Sequence, residues 1–205
     1  MKLMDGIKLK GGRIEIPDCS RDDLPELFVR LGYKAGAEIG VYKGEYTELL
    51  CQAGLKMYGV DPWLSYPSFV HPKGQGRMEE LYQEAKIRLA PYDCTIIRKS
   101  SMGALADFED ESLDFVYIDS NHQFRFIAED LFEWSKKVRD GGVVSGHDYH
   151  PIRGSKWNAC DVPQVLHAYI DCYQIKTWYI LGSKRHRENE VRDSYRSWMW
   201  IKEKM

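Results

Sequence analysis

The sequence of 205 residues lacks the features that mark secreted and membrane proteins. Its five cysteines are scattered, odd in number and never spaced as C-x-x-C, which argues against a disulfide framework and against a zinc site. No apolar run approaches the roughly 20 residues of a membrane-spanning helix, and residues 1–12 are rich in Lys and Gly without the apolar core of a signal peptide. We therefore expect a cytoplasmic protein that neither crosses nor needs a membrane.

An excess of charge of one sign is also missing. The 29 basic and 31 acidic residues give a formal net charge of −2, so nothing in this balance indicates nucleic acid or an anionic surface as the partner. Hydrophobic residues make up 43% and charged residues 29%, the composition of a soluble globular domain. The length suits one α/β domain with its own core, and it leaves a homo-oligomer open.

Short apolar runs alternate with longer amphipathic segments, which predicts an α/β fold. Several runs lack polar alternation, as strands buried on both faces do. The predicted strands are residues 36–41, 57–61, 94–98, 113–119 and 142–146. The predicted helices are residues 21–31, 45–53, 77–89, 124–138 and 162–173.

The last part of the chain has a different pattern. Two aromatic-rich segments, 175–181 and 197–202, flank a charged stretch and predict a hairpin with a solvated connection. We expect one domain over residues 1–205. It comprises an N-terminal arm and helix (1–32), a cofactor-binding core (33–149) and a C-terminal helix and hairpin (150–205).

The most informative segment is a strand that passes through two glycines directly into a helix. It reads Glu38-Ile39-Gly40-Val41-Tyr42-Lys43-Gly44. Glycines let the backbone approach a ligand closely, and the helix start offers N–H groups to an anion. A dinucleotide site would have G-x-G-x-x-G. The observed G-x-x-x-G after an acidic residue suits a zwitterionic amino acid, whose carboxylate the amides bind and whose ammonium Glu38 attracts directly or through water.

Two further segments supply groups for a nucleoside. Asp61 ends the second predicted strand, where a carboxylate accepts hydrogen bonds from two ribose hydroxyls, and Trp63 is predicted to cover the adenine face. After the third strand, Ser100 and Ser101 offer polar groups to the adenine edge while Met102 packs on the ring. Each feature alone is also common in turns and helix caps. Their order and spacing together indicate a site for S-adenosylmethionine (SAM).

The run from Ala37 to Tyr149 resembles a class I SAM-dependent methyltransferase. It is most similar to the small-molecule branch called the methyltransferase domain 24 family, related to sugar and catechol O-methyltransferases. Four stretches carry the resemblance: residues 37–44, 58–63, 113–122 and 141–149. The resemblance implies a Rossmann-like fold, with a seven-stranded, mostly parallel sheet, an antiparallel last strand and helices on both faces. It also implies SAM as methyl donor and a small-molecule acceptor, methylated on a hydroxyl oxygen.

Two pairs of polar residues follow predicted strands on the reaction side: Asp119 with His122, and His147 with Asp148. In metal-dependent relatives, carboxylates resembling Asp119 and Asp148 hold a divalent cation such as Mg²⁺, which lowers the pKa of the acceptor hydroxyl. His122 or His147 could then act as general base. The catechol enzymes place an Asn where this chain has Tyr149, which puts the metal in doubt. Two alternatives stay open: a histidine proton shared between the carboxylates, or a purely orienting role.

The acceptor pocket is expected in the least regular segments, residues 64–76 and 150–160. Their aromatic and basic side chains suit a sugar or phenolic acceptor, including an anionic one; they are Tyr66, Phe69, His71, Lys73, His150, Arg153, Lys156 and Trp157. Two other functions remain open: a SAM-fold binding protein without catalysis, and a nicotinamide-dependent oxidoreductase. The missing G-x-G-x-x-G and the terminal hairpin argue against the oxidoreductase.

Overall fold

A computed structural model of the chain describes residues 1–65, 74–150, 160–185 and 187–203. The strands are β1 (Gly12–Ile16), β2 (Ala35–Ile39), β3 (Lys56–Val60), β4 (Cys94–Ile97), β5 (Leu113–Ile118), β6 (Val138–Gly146), β7 (Thr177–Leu181) and β8 (Ser197–Ile201). The α-helices are α1 (Leu3–Gly6), α2 (Leu24–Arg30), α3 (Glu45–Gln52), α4 (Gly74–Leu89), α5 (Ser101–Ala104), α6 (Phe124–Lys137) and α7 (Val162–Cys172). Two 3₁₀ turns occupy Arg21–Asp23 and Leu105–Asp107.

Within the described residues, the strands form one eight-stranded sheet in the order β1-β7-β8-β6-β5-β2-β3-β4. β8 runs antiparallel to both of its neighbours, and the other pairs are parallel. The predicted hairpin and antiparallel last strand are therefore confirmed. The expected seven strands were one too few, because β1 adds to the edge of the sheet beside β7. Its pattern is weak in the sequence, since only Ile16 of its five residues is buried.

Helices cover both faces of the sheet, as expected. Successive side chains of a strand point to opposite faces, so Val116 and Ile118 of β5 join one core cluster and Phe115 and Tyr117 join the other. The first cluster includes residues of α6 and α7, and the second includes residues of α2 and α3. Among the described residues, no helix is both long and apolar enough to cross a membrane.

The parallel strands all end at one edge of the sheet, here called the carboxyl edge. The register aligns Ile39 of β2 with Val60 of β3 and with Ile118 of β5, and Ile118 with Gly146 of β6. The next residues along these four strands therefore lie side by side. They are Gly40, Asp61, Asp119 and His147.

Candidate active site

Gly40 begins the glycine loop (residues 40–44) at the centre of the carboxyl edge. Its φ of 97° lies in the left-handed region, which other residues adopt only with strain. A Cβ built there would lie 2.2 Å from the carbonyl oxygen of Asp119. The first glycine is therefore required by the close approach of two strand ends. Gly44, with φ 78°, ends the loop as the N-cap residue of α3.

Asp61 holds the glycine loop in place. Its Oδ2 accepts hydrogen bonds from the backbone N–H groups of Val41 and Tyr42, each at 3.0 Å. Its Oδ1 accepts the N–H of Trp63 at 2.7 Å. Burial raises the pKa of Asp61 despite these three bonds. The predicted contact with ribose hydroxyls stays a prediction, but the structure gives Asp61 a second task in shaping the loop.

Trp63, which was predicted to cover the adenine face, has no exposed surface in the structure. Its side chain is fully buried and packs in a cluster with Val41 and the apolar face of α4. Its Nε1–H donates to the carbonyl oxygen of Tyr42 at 2.8 Å. The indole therefore packs against the apolar face of α4 and helps to bury it.

Glu38 is buried and bonded to α3. It is 2% exposed, and its carboxyl group accepts a hydrogen bond from the hydroxyl of Thr47 on α3. Burial raises the pKa of Glu38 to about 8, so the group is largely neutral at pH 7. The predicted contact of Glu38 with an ammonium group, directly or through water, stays a prediction.

The segment after β4 lies at the same edge, but its serines already have partners. Ser100 caps α5 by accepting a backbone N–H. Ser101 Oγ accepts the Nε1–H of Trp134 at 2.7 Å and donates to Asp130 on α6. Met102 packs partly buried against the core. Ser101 therefore fixes the segment to α6, and the adenine contacts of this segment stay predictions.

The predicted convergence of Asp119 and Asp148 is present. Nε2 of His122 lies 3.0 Å from Oδ2 of Asp148 and 3.5 Å from Oδ1 of Asp119. Nδ1 of His147 lies 3.4 Å from Oδ2 of Asp148 and 3.8 Å from Oδ2 of Asp119. The side chains that follow β5 and β6 thus meet in one carboxylate–histidine cluster, formed by Asp119, His122, His147 and Asp148.

The carboxylates and histidines of this cluster shift one another's pKa values. Although burial alone would lower the pKa of His122, its contacts with Asp119 and Asp148 raise it to about 10. Burial would raise the pKa of Asp148, but His122 and His147 hold it well below its usual range. Without any added ion, His122 is therefore a cation held between two carboxylates.

Two members of the site were not assigned to this cluster from the sequence. His150, expected in the acceptor pocket, places Nε2 3.0 Å from Oδ1 of Asp148. Arg21 places a guanidinium nitrogen 3.2 Å from Oδ2 of Asp119, although 98 residues separate them in the chain. Arg21 begins the predicted helix 21–31, which precedes the first predicted strand, and this position is only a weak signal of a role in the site.

Most of the predicted acceptor residues lie outside the described residues. They are Tyr66, Phe69, His71, Lys73, Arg153, Lys156 and Trp157. The acceptor pocket therefore stays a prediction, apart from the contact of His150 with Asp148.

Comparison with known proteins adds a family match. Residues 37–149 match the family described as Methyltransferase domain. The chain is also 28% identical over 119 residues, or 54% of its length, to "Uncharacterized protein y4gI" of Sinorhizobium fredii. The chain spans only 12% of the length of that curated relative.

Similar solved structures include an O-methyltransferase from Bacillus cereus in complex with SAH (17% identity, TM-score 0.59, 89% of this chain and 80% of that one). They also include the O-methyltransferase TomG from Streptomyces achromogenes in complex with SAM (15%, TM-score 0.58, 89% and 79%). A third is an rRNA methylase from Streptococcus thermophilus (12%, TM-score 0.59, 88% and 95%). At these identities the likeness establishes the fold.

Proposed function

Because the chain belongs to the methyltransferase domain 24 family, we propose that it transfers the methyl group of SAM to a hydroxyl oxygen of a small-molecule acceptor. The observation that carries the proposal is the carboxylate–histidine cluster beside the glycine loop, on the edge where parallel strands form ligand crevices. Two of the O-methyltransferases that share the fold hold SAM or its demethylated product, S-adenosylhomocysteine (SAH).

We place the cofactor along the ends of β2, β3 and β4. SAM supplies a methyl group on a sulfonium centre, which is electrophilic without further activation. Gly40 has no side chain to block a ligand at the end of β2. Oδ1 of Asp61 accepts one hydrogen bond from Trp63 and retains lone pairs for ribose hydroxyls. Ser100, Ser101 and Met102 line the position proposed for adenine. Asp119 then lies next to the methionine end.

We assign the general base to His147. His122 is held as a cation by Asp119 and Asp148, so its role is to keep the two carboxylates together. Nδ1 of His147 lies 3.4 Å from Oδ2 of Asp148. A proton on that nitrogen leaves Nε2 free to accept the proton of the acceptor hydroxyl as the oxygen attacks the methyl group.

The same cluster fits a divalent cation. One ligand atom each from Asp119, His122 and Asp148 lie within 4.8 Å of one another. Nε2 of His122 is buried and makes no hydrogen bond of good geometry, despite its closeness to Asp148. Two carboxylates with one imidazole suit Mn²⁺, Fe²⁺ or Zn²⁺ as well as Mg²⁺. A cation bound there would lower the pKa of the acceptor hydroxyl.

Two observations favour the proton over the cation. Arg21 already supplies a positive charge 3.2 Å from Oδ2 of Asp119. Tyr149, which stands where the catechol enzymes have a metal ligand, turns its hydroxyl to His167 at 2.8 Å. Since a ligating imidazole must be neutral, a cation and the proton on His122 exclude one another.

The test is transfer of a labelled methyl group from SAM to a panel of catechols, phenols, sugars and their anionic derivatives. A ribosomal RNA fragment belongs in the panel, since an rRNA methylase shares the fold. We expect a labelled small molecule, and loss of labelling in His147→Gln with SAH binding retained. Labelling of RNA alone would overturn the small-molecule assignment. SAH binding without methylation of any acceptor would favour a binding protein instead.

A further inference from the structure

Arg21 is anchored in the crevice by contacts outside the carboxylate–histidine cluster. The side chain of Ser20 caps the 3₁₀ turn that Arg21 begins. The carbonyl oxygen of Arg21 accepts a hydrogen bond from the hydroxyl of Tyr46 at 3.0 Å, and its guanidinium carbon lies 4.9 Å from the centre of the Tyr46 ring. Because Tyr46 belongs to the first turn of α3, these contacts hold Arg21 against the element that follows the glycine loop.

The guanidinium group also faces the end of β5. It lies 3.2 Å from Oδ2 of Asp119, and its side chain is 33% exposed. A Cβ on Gly40 would collide with the carbonyl oxygen of the same Asp119, so β2 ends against β5 here. Arg21 is thus next to the place where β2 and β5 end together, with part of its surface open to a ligand.

Several amides of the glycine loop are already engaged. The N–H groups of Val41 and Tyr42 donate to Asp61, and the N–H of Gly44 donates to the carbonyl oxygen of Val41 at 2.8 Å. These donors were expected to receive the carboxylate of a bound amino acid. A carboxylate above Gly40 therefore has fewer loop amides to bind, and a guanidinium offers several N–H donors and a permanent charge.

We propose that Arg21 binds the carboxylate of the methionine end of SAM, with Asp119 beside it to attract the ammonium. The inference rests on the proposed function. An amino acid carries its ammonium and carboxylate on one carbon atom, and the Arg21–Asp119 pair presents the matching opposite charges side by side. Arg21 is thereby a determinant of cofactor binding supplied by the N-terminal segment, outside the matched region of residues 37–149.

The test is a double cycle by isothermal titration, with wild type and Arg21→Gln as proteins and SAH and its decarboxylated analogue as ligands. For wild type, we expect removal of the ligand carboxylate to raise Kd by about tenfold or more, as for loss of a charge-assisted hydrogen bond. For Arg21→Gln, the two ligands should bind equally well. Arg30→Gln is the control, since Arg30 pairs with Glu26 on the surface.

The outcomes separate the possible failures. If Arg21→Gln weakens both ligands by the same factor, Arg21 is structural and the proposal is wrong. If SAH affinity is unchanged and only the KM of an acceptor rises, Arg21 binds the acceptor and the proposal is also wrong. Should Arg21→Gln fail to fold, Arg21→Lys, which keeps the charge, should still bind SAH more tightly than the decarboxylated analogue, and equal binding of the two ligands would contradict the proposal. Wild type that binds neither ligand would refute the proposed function itself.

Discussion

Nε2 of His122 lies 3.0 Å from Oδ2 of Asp148, at the point where β5 and β6 end side by side. Asp119 approaches the same nitrogen from β5 at 3.5 Å. Two carboxylates this close repel unless a positive charge lies between them. His122 supplies that charge, so the three residues act as one unit.

We therefore expect Asp119→Asn and Asp148→Asn each to lower kcat strongly. Either change removes a charge that holds His122, and loss of Asp148 also frees Nδ1 of His147. The loss should be about 10²–10⁴-fold, the range that a positioned acid or base contributes. Steady-state kinetics with the labelled acceptor measures it, and Asp110→Asn, at an exposed pair with Lys137, is the control. Full activity in the Asp119→Asn, Asp148→Asn double variant would exclude any chemical role of the cluster.

The same assay shows whether a proton on His122 or a divalent metal ion balances the charges of Asp119 and Asp148. Because Arg21 and His122 balance the two carboxylates, we expect turnover to survive EDTA treatment and to gain little from added Mg²⁺ or Mn²⁺. Abolition by EDTA with recovery on Mn²⁺ would instead assign Asp119, His122 and Asp148 as ligands of a required cation.

Gly40→Ala should destabilise the fold and abolish SAH binding. A methyl group at Gly40 meets the backbone of Asp119 and also has to accept φ 97°, which together cost roughly 2–4 kcal/mol. Gly54→Ala is a matched control, because Gly54 has φ 86° with no atom within 4 Å of the added carbon. Urea unfolding should show a larger loss for Gly40→Ala, and equal losses would contradict the close packing of β2 on β5.

Asp61→Ala should weaken SAH by about 2–4 kcal/mol, since it removes the proposed ribose contacts and releases the loop amides of Val41 and Tyr42. Asp61→Asn keeps the shape and one acceptor, so its effect should be smaller. Titration calorimetry measures both variants. Unchanged SAH affinity in folded Asp61→Ala would remove Asp61 from the cofactor site.

Glu38 should make stability depend on pH. Its pKa rises from about 4.5 to about 8 on folding because the carboxyl is buried. Between these values the folded protein keeps a proton that the unfolded chain has lost, so stability falls as pH rises, by at most about 1.4 kcal/mol per pH unit. Urea unfolding at pH 5 and pH 8 should show this fall for wild type and a smaller one for Glu38→Gln. The exposed Glu26→Gln should behave like wild type, and equal slopes in all three proteins would contradict a buried neutral Glu38.

Apolar runs and glycines predicted most of this fold, because strands buried on both faces have a pattern that survives in the sequence. β1 was not predicted, since a half-exposed edge strand has few apolar residues to mark it in the sequence. Strand ends also predicted the meeting of Asp119 with Asp148. The contacts of a side chain were less predictable: Trp63 and Glu38 follow the expected spacing, yet Trp63 is buried against α4 and Glu38 is bonded to Thr47 of α3. Arg21 belongs to a segment distant in sequence from Asp119, so only the tertiary structure shows that the two residues are in contact.

Binding of SAH to the purified wild-type chain, measured by isothermal titration calorimetry, tests the central claim most directly. A folded protein should bind one SAH per chain, and titration with NADH under the same conditions should give no heat of binding. A folded chain that binds NADH but neither SAH nor SAM would contradict the account.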